Sequence, residues 1–196
     1  MAESKTPASR WTPQSNTLVI GIGHKARQGK DAVARALMET WPALVTRFAF
    51  ADALKAIARA DRGMTAKDAR LLQALGLEYR QKDIDTLVRT VYWQIVDDAP
   101  RVAVITDVRF QNEIAFIKQM GGVCVRVDRR DADGTQLIDG GRPANHPSEV
   151  ELETFTGWDY VIENVEGDRD GLRRAAIAMF TDAWDKAAEA SAVGVV

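Results

Sequence analysis

The feature that most constrains this chain is an apolar run that leads through a glycine- and lysine-containing loop into a helical pattern. The run covers Thr17 to Ile20, the loop covers Gly21 to Asp31, and Val33 and Leu37 begin a helical face at i, i+4 spacing. In a strand–loop–helix unit of this kind, successive backbone N–H groups and the helix N-terminus face an anion. The sequence therefore predicts a phosphate-binding loop.

The loop departs from the consensus G-x-x-x-x-G-K-[ST] at two positions. Gly29 and Lys30 fit, but His24 takes the first glycine position and Asp31 takes the Ser/Thr position. Lys30 is expected to reach the β- and γ-phosphates of a nucleoside triphosphate, and Asp31 to supply an oxygen to Mg²⁺. The alternative is a Gly-Lys turn that caps an ordinary strand–helix unit. The predicted nucleotide-binding residues are Gly23, His24, Lys25, Ala26, Arg27, Gln28, Gly29, Lys30, Asp31 and Ala32.

Composition narrows the classes of protein. The 196 residues suggest one domain, and 46% hydrophobic with 28% charged residues is typical of globular proteins. A net charge of −2 provides no overall basic field for nucleic acid, although a local basic groove stays open. The single cysteine, Cys124, lies in an apolar run, so we expect a buried thiol, no internal disulfide and a cytoplasmic location. No membrane span or signal peptide is expected, and a homodimer is left open.

Apolar runs alternate with helical periodicity along the chain, which predicts an α/β fold: a mainly parallel five-stranded sheet with helices on both faces. Strands are predicted at about 17–22, 44–50, 101–107, 123–127 and 160–162, and helices at about 66–75, 110–120 and 171–188. Gly76 is expected to end the first of these helices.

A single domain is predicted over residues 17–190, with a frayed tail at 191–196. Residues 1–16 are predicted to form a loose tail whose Trp11 docks onto the body of the domain. Residues 52–98 have no strand pattern and are predicted to form a helical insertion. The polar segment 128–148 is predicted to form a lid.

Charged side chains follow the predicted strands, and ligands of parallel sheets bind beyond the carboxyl ends of the strands. Asp52 follows the second strand, and Asp107 ends the third. Asp107 is predicted, with Asp31, as a Mg²⁺ ligand. The alternative for Asp107 is the N-cap of the following helix.

Phosphoryl transfer depends on positioning and on positive charge around the transferred group. Lys30, Arg109, Arg129 and Arg130 are therefore predicted as catalytic residues, and Arg142 as a further cation of the lid. The alternative for the lid arginines is a solvated loop balanced by its aspartates.

Five segments together resemble a known family. They are Gly21 to Ala32, Leu71 to Arg80 (similar to L-L-Q-x-x-G-x-E-x-x-R), Ile105 to Glu113 (I-T-D-V-R-F-x-N-E), His146 to Glu149 (H-P-S-E) and Asp159 to Asn164 (D-x-x-I-x-N). From spacing alone, the H-P-S-E segment is only a turn and a helix cap. Taken together, the segments are similar to the deoxynucleoside monophosphate kinases of bacteriophages, a branch of the P-loop kinases.

The resemblance implies a P-loop NTPase-type fold with a helical substrate cap, and a phage-encoded enzyme of the host cytoplasm. It implies transfer of the γ-phosphate of ATP, with Mg²⁺, to a (deoxy)nucleoside 5′-monophosphate as the small-molecule partner. The substrate-binding residues expected on this basis and from the strand ends are Asp52, Gln73, Arg80, Asp107, Arg109, His146 and Glu149.

Two departures keep other functions open. His24 replaces the usual loop glycine, and Ala32 replaces the usual threonine after Gly-Lys-Asp. The alternatives are a P-loop kinase that acts on a modified base in DNA, and a nucleotide-binding protein with weakened catalysis.

Overall fold

The computed structural model describes residues 11, 17–66, 68–131, 135 and 147–193. Its five strands are β1 (Leu18–Gly23), β2 (Val45–Phe48), β3 (Val102–Val108), β4 (Val123–Arg130) and β5 (Tyr160–Val165). The helices are α1 (Lys30–Thr40), α2 (Phe50–Arg62), α3 (Ala69–Lys82), α4 (Thr86–Asp98), α5 (Gln111–Gln119), α6 (Pro147–Val150) and α7 (Arg169–Val193).

All strand pairs of the sheet are parallel, in the order β2-β3-β1-β4-β5. Every residue of β1 is buried, as expected of a central parallel strand that is covered on both faces. The predicted α/β class, with a five-stranded parallel sheet and helices on both faces, is confirmed.

Two apolar clusters cover the two faces of the sheet, because successive side chains of a strand point to opposite faces. Val19 and Ile105 belong to the cluster formed with α2, α4 and α5. Ile20 and Val104 belong to the cluster formed with α1 and α7. Helices α2 and α4, which belong to the predicted helical insertion, therefore pack on one face of the sheet.

Three sequence predictions meet a definite outcome in the packing. Cys124 is fully buried, and burial raises the pKa of its thiol to about 12, so the core assignment is confirmed. Helix α3 continues through Gly76 to Lys82, so the predicted stop was wrong. Trp11 is only 7% exposed and packs in the cluster with α4 and α5, which confirms its docking.

The remaining boundaries differ slightly from the predictions. Helix α7 extends to Val193, three residues beyond the predicted domain end at 190. Of the predicted lid, 128–130 belong to β4 and 147–148 to α6, whereas 132–134 and 136–146 lie outside the described residues. None of the described helices combines the length and the apolar character needed to cross a membrane.

Candidate active site

The loop between β1 and α1 is held in place by the two neighbouring strands at the far edge of the sheet. The backbone carbonyl of Gln28 accepts a hydrogen bond from Asn164 Nδ2 at 2.9 Å, and Gln28 Oε1 accepts one from the Arg129 backbone N–H at 2.5 Å. Gly29 has a φ of 101° directly before α1, a left-handed conformation that favours glycine. The loop is therefore a fixed part of the fold.

His24 fills space within this loop and carries no charge at neutral pH. It is 3% exposed, and its ring lies 6.0 Å from the ring of Trp158. Burial, followed by the positive charge of Arg126, lowers its pKa to about 4. Its Nδ1 has no hydrogen-bond partner among the described residues. The packing favours a space-filling role for His24 over hydrogen-bond donation to a phosphate.

Lys30 is the first residue of α1, and its side chain lies inside the site instead of extending into solvent. The residue is 7% exposed, and its Nζ donates to the backbone carbonyl of Lys25. Burial, and next the charge of Arg109, lowers the pKa of Lys30 to about 7, while nearby Glu149 and Asp107 oppose that shift. A buried ammonium group with this pKa is available to an anionic ligand at the start of the helix.

Arg109, the loop and α6 meet at one carboxylate. Glu149 Oε1 accepts a hydrogen bond from Arg109 Nη1 at 2.7 Å, and Glu149 Oε2 accepts one from the Ala26 backbone N–H at 3.0 Å. The two side chains are only 14% and 11% exposed. Arg109 Nη1 also donates to the Ser148 carbonyl at 3.2 Å. The segments around Arg109 and Glu149, which lie 40 residues apart in the chain, therefore share one site with the loop.

Asp107 connects the end of β3 to the start of α2. Its two carboxylate oxygens accept the backbone N–H groups of Phe50 (2.9 Å) and Ala51 (2.7 Å). Burial raises the pKa of this carboxyl, whereas the two backbone hydrogen bonds oppose the rise. Asp107 therefore caps the start of α2, which precedes it in the chain. The alternative prediction, a cap of the helix that follows Asp107, was wrong.

Asp31, predicted with Asp107 to bind Mg²⁺, and Asp52, predicted to bind substrate, differ in how much they are already engaged. The side chain of Asp31 is 78% exposed, and Asp31 Oδ1 lies 3.8 Å from Arg47 Nη2. Asp52 is bonded to Arg47 at 2.8 Å and to Lys55 at 2.6 Å. Among the described residues, no group of three or more His, Cys, Asp or Glu side chains could hold a metal by itself. Asp31 fits Mg²⁺, which commonly binds one or two carboxylates together with substrate phosphates and water.

Arg80 supports the turn that carries Arg109. Its guanidinium lies 3.7 Å from the centre of the Phe110 ring and donates to Glu113 Oε1 at 3.3 Å. Glu113 Oε2 in turn accepts the backbone N–H groups of Arg109 (2.7 Å) and Phe110 (3.1 Å). Burial raises the pKa of Glu113 to about 8. In this structure Arg80 thus joins α3 to the end of β3.

A cleft of about 300 Å³ lies beside the loop, on the side of β5. Its lining includes Gly29, Ala32, Arg129 and Asn164, and α7 contributes Leu172. Arg129 also bonds to Glu166 at 2.7 Å and to the Arg27 carbonyl at 3.4 Å. Arg130 pairs instead with Glu163 of the edge strand, at 3.2 Å. Of the two strand-end arginines, Arg129 is the one that borders the cleft.

Some predicted site residues are not brought together. Gln73 is exposed on α3, and Arg142 and His146 lie outside the described residues. The sequence analysis missed Arg47, which links Asp31 to Asp52, and Glu113, which holds the Arg109 backbone. Glu113 stood inside a motif that had already been noted, at a capping position of α5.

Similarity to known proteins is limited in extent. No protein-family model matches the chain. A protein of Acanthamoeba polyphaga mimivirus, described as a "Putative deoxynucleotide monophosphate kinase", is 32% identical over 117 residues, which cover 53% of this chain and 56% of that relative. The chain thus spans little more than half of the relative's length. This similarity confirms the resemblance that the motifs indicate.

Two solved structures show a weaker likeness. Shikimate kinase from Acinetobacter baumannii, in complex with shikimate, has 14% identity and a TM-score of 0.48, with 85% of this chain and 94% of that chain covered. Shikimate kinase from Aquifex aeolicus has 13% identity and a TM-score of 0.45, with 90% and 99% covered. TM-scores this low say nothing about substrate.

Proposed function

We propose that the protein transfers the γ-phosphate of ATP to a nucleoside 5′-monophosphate, with a deoxynucleoside monophosphate as its preferred acceptor. A phosphate oxygen of the acceptor attacks the γ-phosphorus, the bond from that phosphorus to the β–γ bridging oxygen breaks, and ADP leaves. The observation that carries the proposal is that the Arg109 guanidinium and the Ala26 backbone N–H both bond to the Glu149 carboxylate, and that the charge of this carboxylate raises the pKa of buried Lys30.

The donor side is supported by the chemistry of the loop. Phosphoryl transfer requires positive charge and oriented N–H groups around the phosphates more than covalent participation by the protein. Lys30 at the N-terminus of α1 and the fixed loop before it provide both. The neighbouring cleft bordered by Ala32 and Arg129 has room for the nucleoside of ATP. Asp31 would hold Mg²⁺, which when bound would neutralise charge on the phosphates.

The acceptor side lies, on this proposal, between the end of β3 and the helical block α2–α4. Asp107 fixes the start of α2 to the end of β3, and Arg109 extends from the same strand end toward Lys30. Acceptor identity is supported by the sequence motifs and by the name given to the mimivirus relative. The homodimer and the cytoplasmic location stay predictions.

A coupled ADP-release assay over ribo- and deoxynucleoside monophosphates, with duplex DNA as an additional acceptor, tests this function. We expect turnover with at least one deoxynucleoside monophosphate. Lys30→Ala is expected to lower kcat/KM by about 100-fold or more, because a cation that stabilises transferred charge is lost. Lys186→Ala is the matched control, since Lys186 pairs with Asp182 on the surface of α7.

Each of the other outcomes would indicate a different function. Full activity in Lys30→Ala would overturn the mechanism. Turnover with DNA alone would identify the kinase of modified bases. ATP binding without ADP release for any acceptor would identify the nucleotide-binding protein with weakened catalysis.

A further inference from the structure

The carboxylate of Glu149 lies among groups that are expected to bind phosphate. Its two oxygens accept hydrogen bonds from a loop N–H, that of Ala26, and from the guanidinium of Arg109. Its charge also acts on Lys30. A backbone N–H of a phosphate loop, an arginine and a lysine are the three kinds of donor that bind a phosphate group in such sites.

Burial gives this contact an energetic weight that a surface ion pair lacks. The Glu149 and Arg109 side chains are 11% and 14% exposed, whereas the nearby Lys25–Glu153 pair is 29% and 55% exposed. A charge in a nearly buried position needs charged or polar partners, since an unpaired one is costly. Ligand-free Arg109 and the loop therefore require an anion, and Glu149 provides it.

The attachment of α6 does not depend on this carboxylate alone. Arg109 Nη1 donates separately to the backbone carbonyl of Ser148, and Glu151 Oε1 accepts the backbone N–H of Gln111 at 2.9 Å. If the Glu149 side chain rotated away, these two contacts would still hold α6 and the residue after it against Arg109 and the start of α5. Departure of the carboxylate from Arg109 and Ala26 would therefore leave α6 attached through these two contacts.

We propose that the Glu149 carboxylate holds the place of a phosphate group in the ligand-free protein, and that the polyphosphate chain of a nucleotide displaces it. The inference rests on the proposed function only in assigning the loop to polyphosphate. It differs from a role for Glu149 in binding the acceptor, which was the expectation from the sequence. On this proposal Glu149 sets the nucleotide affinity. The apparent Kd is the intrinsic Kd divided by the fraction of molecules in which the Glu149 carboxylate has left the phosphate position.

Inorganic tripolyphosphate binding, measured by calorimetry at constant ionic strength and pH 6, below the pKa of Lys30, without any acceptor, tests this exchange. Glu149→Gln keeps the size of the side chain but removes its charge, so we expect tripolyphosphate to bind about tenfold more tightly than to the wild type. Glu151→Gln is the matched control: it removes the same charge two residues away and controls for the general attraction of an anion. Its affinity is expected to stay at the wild-type value.

The opposite results overturn the proposal. Weaker or unchanged binding by Glu149→Gln means that Glu149 orients Arg109 instead of competing with the ligand. An equal gain in Glu151→Gln means that net charge alone explains the effect, and the absence of binding to every variant also contradicts it. If Glu149→Gln does not fold, Glu149→Asp replaces it, because this variant shortens the side chain and keeps the charge. Tighter tripolyphosphate binding than in the wild type would support the proposal, and weaker or unchanged binding would contradict it.

Turnover separates this inference from the proposed function. Glu149→Gln could bind tripolyphosphate more tightly while the wild type releases no ADP with any acceptor. That result would support the inference and contradict the proposed kinase activity. Normal turnover with weaker binding in Glu149→Gln would do the reverse.

Discussion

Lys30 titrates in the range where the protein is expected to work, because burial and Arg109 lower its pKa to about 7. A polyphosphate binds the protonated amine, so ligand affinity depends on the charge of this one residue. Below pH 7 the charged form predominates, and above pH 7 the ligand must bring a proton onto Lys30. We expect the Kd for ATP to rise with pH between 7.5 and 9, by up to about tenfold per pH unit.

Calorimetric Kd values across that range check the expectation. The γ-phosphate of ATP contributes little there, and His24 is neutral throughout, since its pKa is about 4. Lys30→Arg is the informative comparison, because a guanidinium keeps its charge over this range. A Kd that is flat in the wild type, or that rises as steeply in Lys30→Arg, would show that another group carries the dependence.

At the residue scale, contacts between residues that are close in the chain were predictable from the sequence, and contacts between distant residues were not. The position of Lys30 at a helix N-terminus follows from the local pattern and was predicted. The partners of Glu149 were not, because Arg109 lies 40 residues away and Ala26 lies 123 residues away. No spacing rule encodes such contacts, which depend on the order of strands in the sheet.

At the scale of elements, the loop before α1 depends on Gly29. With φ at 101°, a side chain there is strained, and an added Cβ would lie 2.3 Å from Asn164 Nδ2, the group that bonds to the Gln28 carbonyl. We expect Gly29→Ala to displace Asn164, to lower the free energy of unfolding by roughly 1–2 kcal/mol from backbone strain, and to weaken ATP binding. Urea denaturation and calorimetry measure the two effects.

Gly63 provides the control for strain without collision. It ends α2 with φ at 63°, and an added Cβ meets no atom within 4 Å. Gly63→Ala is expected to lose stability in the same range but to bind ATP like the wild type. If both variants bound ATP normally, the loop would not need its observed conformation.

The elements themselves were predictable where the pattern had a single interpretation. Continuous apolar runs identified β1 and β3, which are buried on both faces. Helix α3 was cut short because Gly76 is a common stop signal. In the structure Gly76 is buried, and an added Cβ would lie 3.3 Å both from Leu54 of α2 and from Arg80 Nη1. The close approach of two helices accounts for the glycine, and such tertiary packing overrides local propensity.

At the scale of the whole molecule, the sheet separates two packed faces. Helix α1, which begins at the phosphate loop, packs with α7 on one face. Trp11 packs on the other face, with its ring centre 5.2 Å from that of Tyr92 in α4 and 5.6 Å from that of Phe116 in α5. We therefore expect the loss of Trp11 to lower the free energy of unfolding without changing ligand binding at the loop.

Truncation of Trp11 tests this separation. Trp11→Ala removes a buried aromatic ring, so we expect the free energy of unfolding to fall by roughly 3–5 kcal/mol, with the ATP affinity of the folded fraction unchanged. Trp93→Ala is the matched control, because Trp93 is 53% exposed on α4 and its loss should stay within about 0.5 kcal/mol. Urea denaturation gives the first quantity and calorimetry below the transition gives the second. Equal losses for the two variants would mean that Trp11 is not part of the core, and weaker ATP binding by folded Trp11→Ala would mean that the two faces are coupled through the sheet.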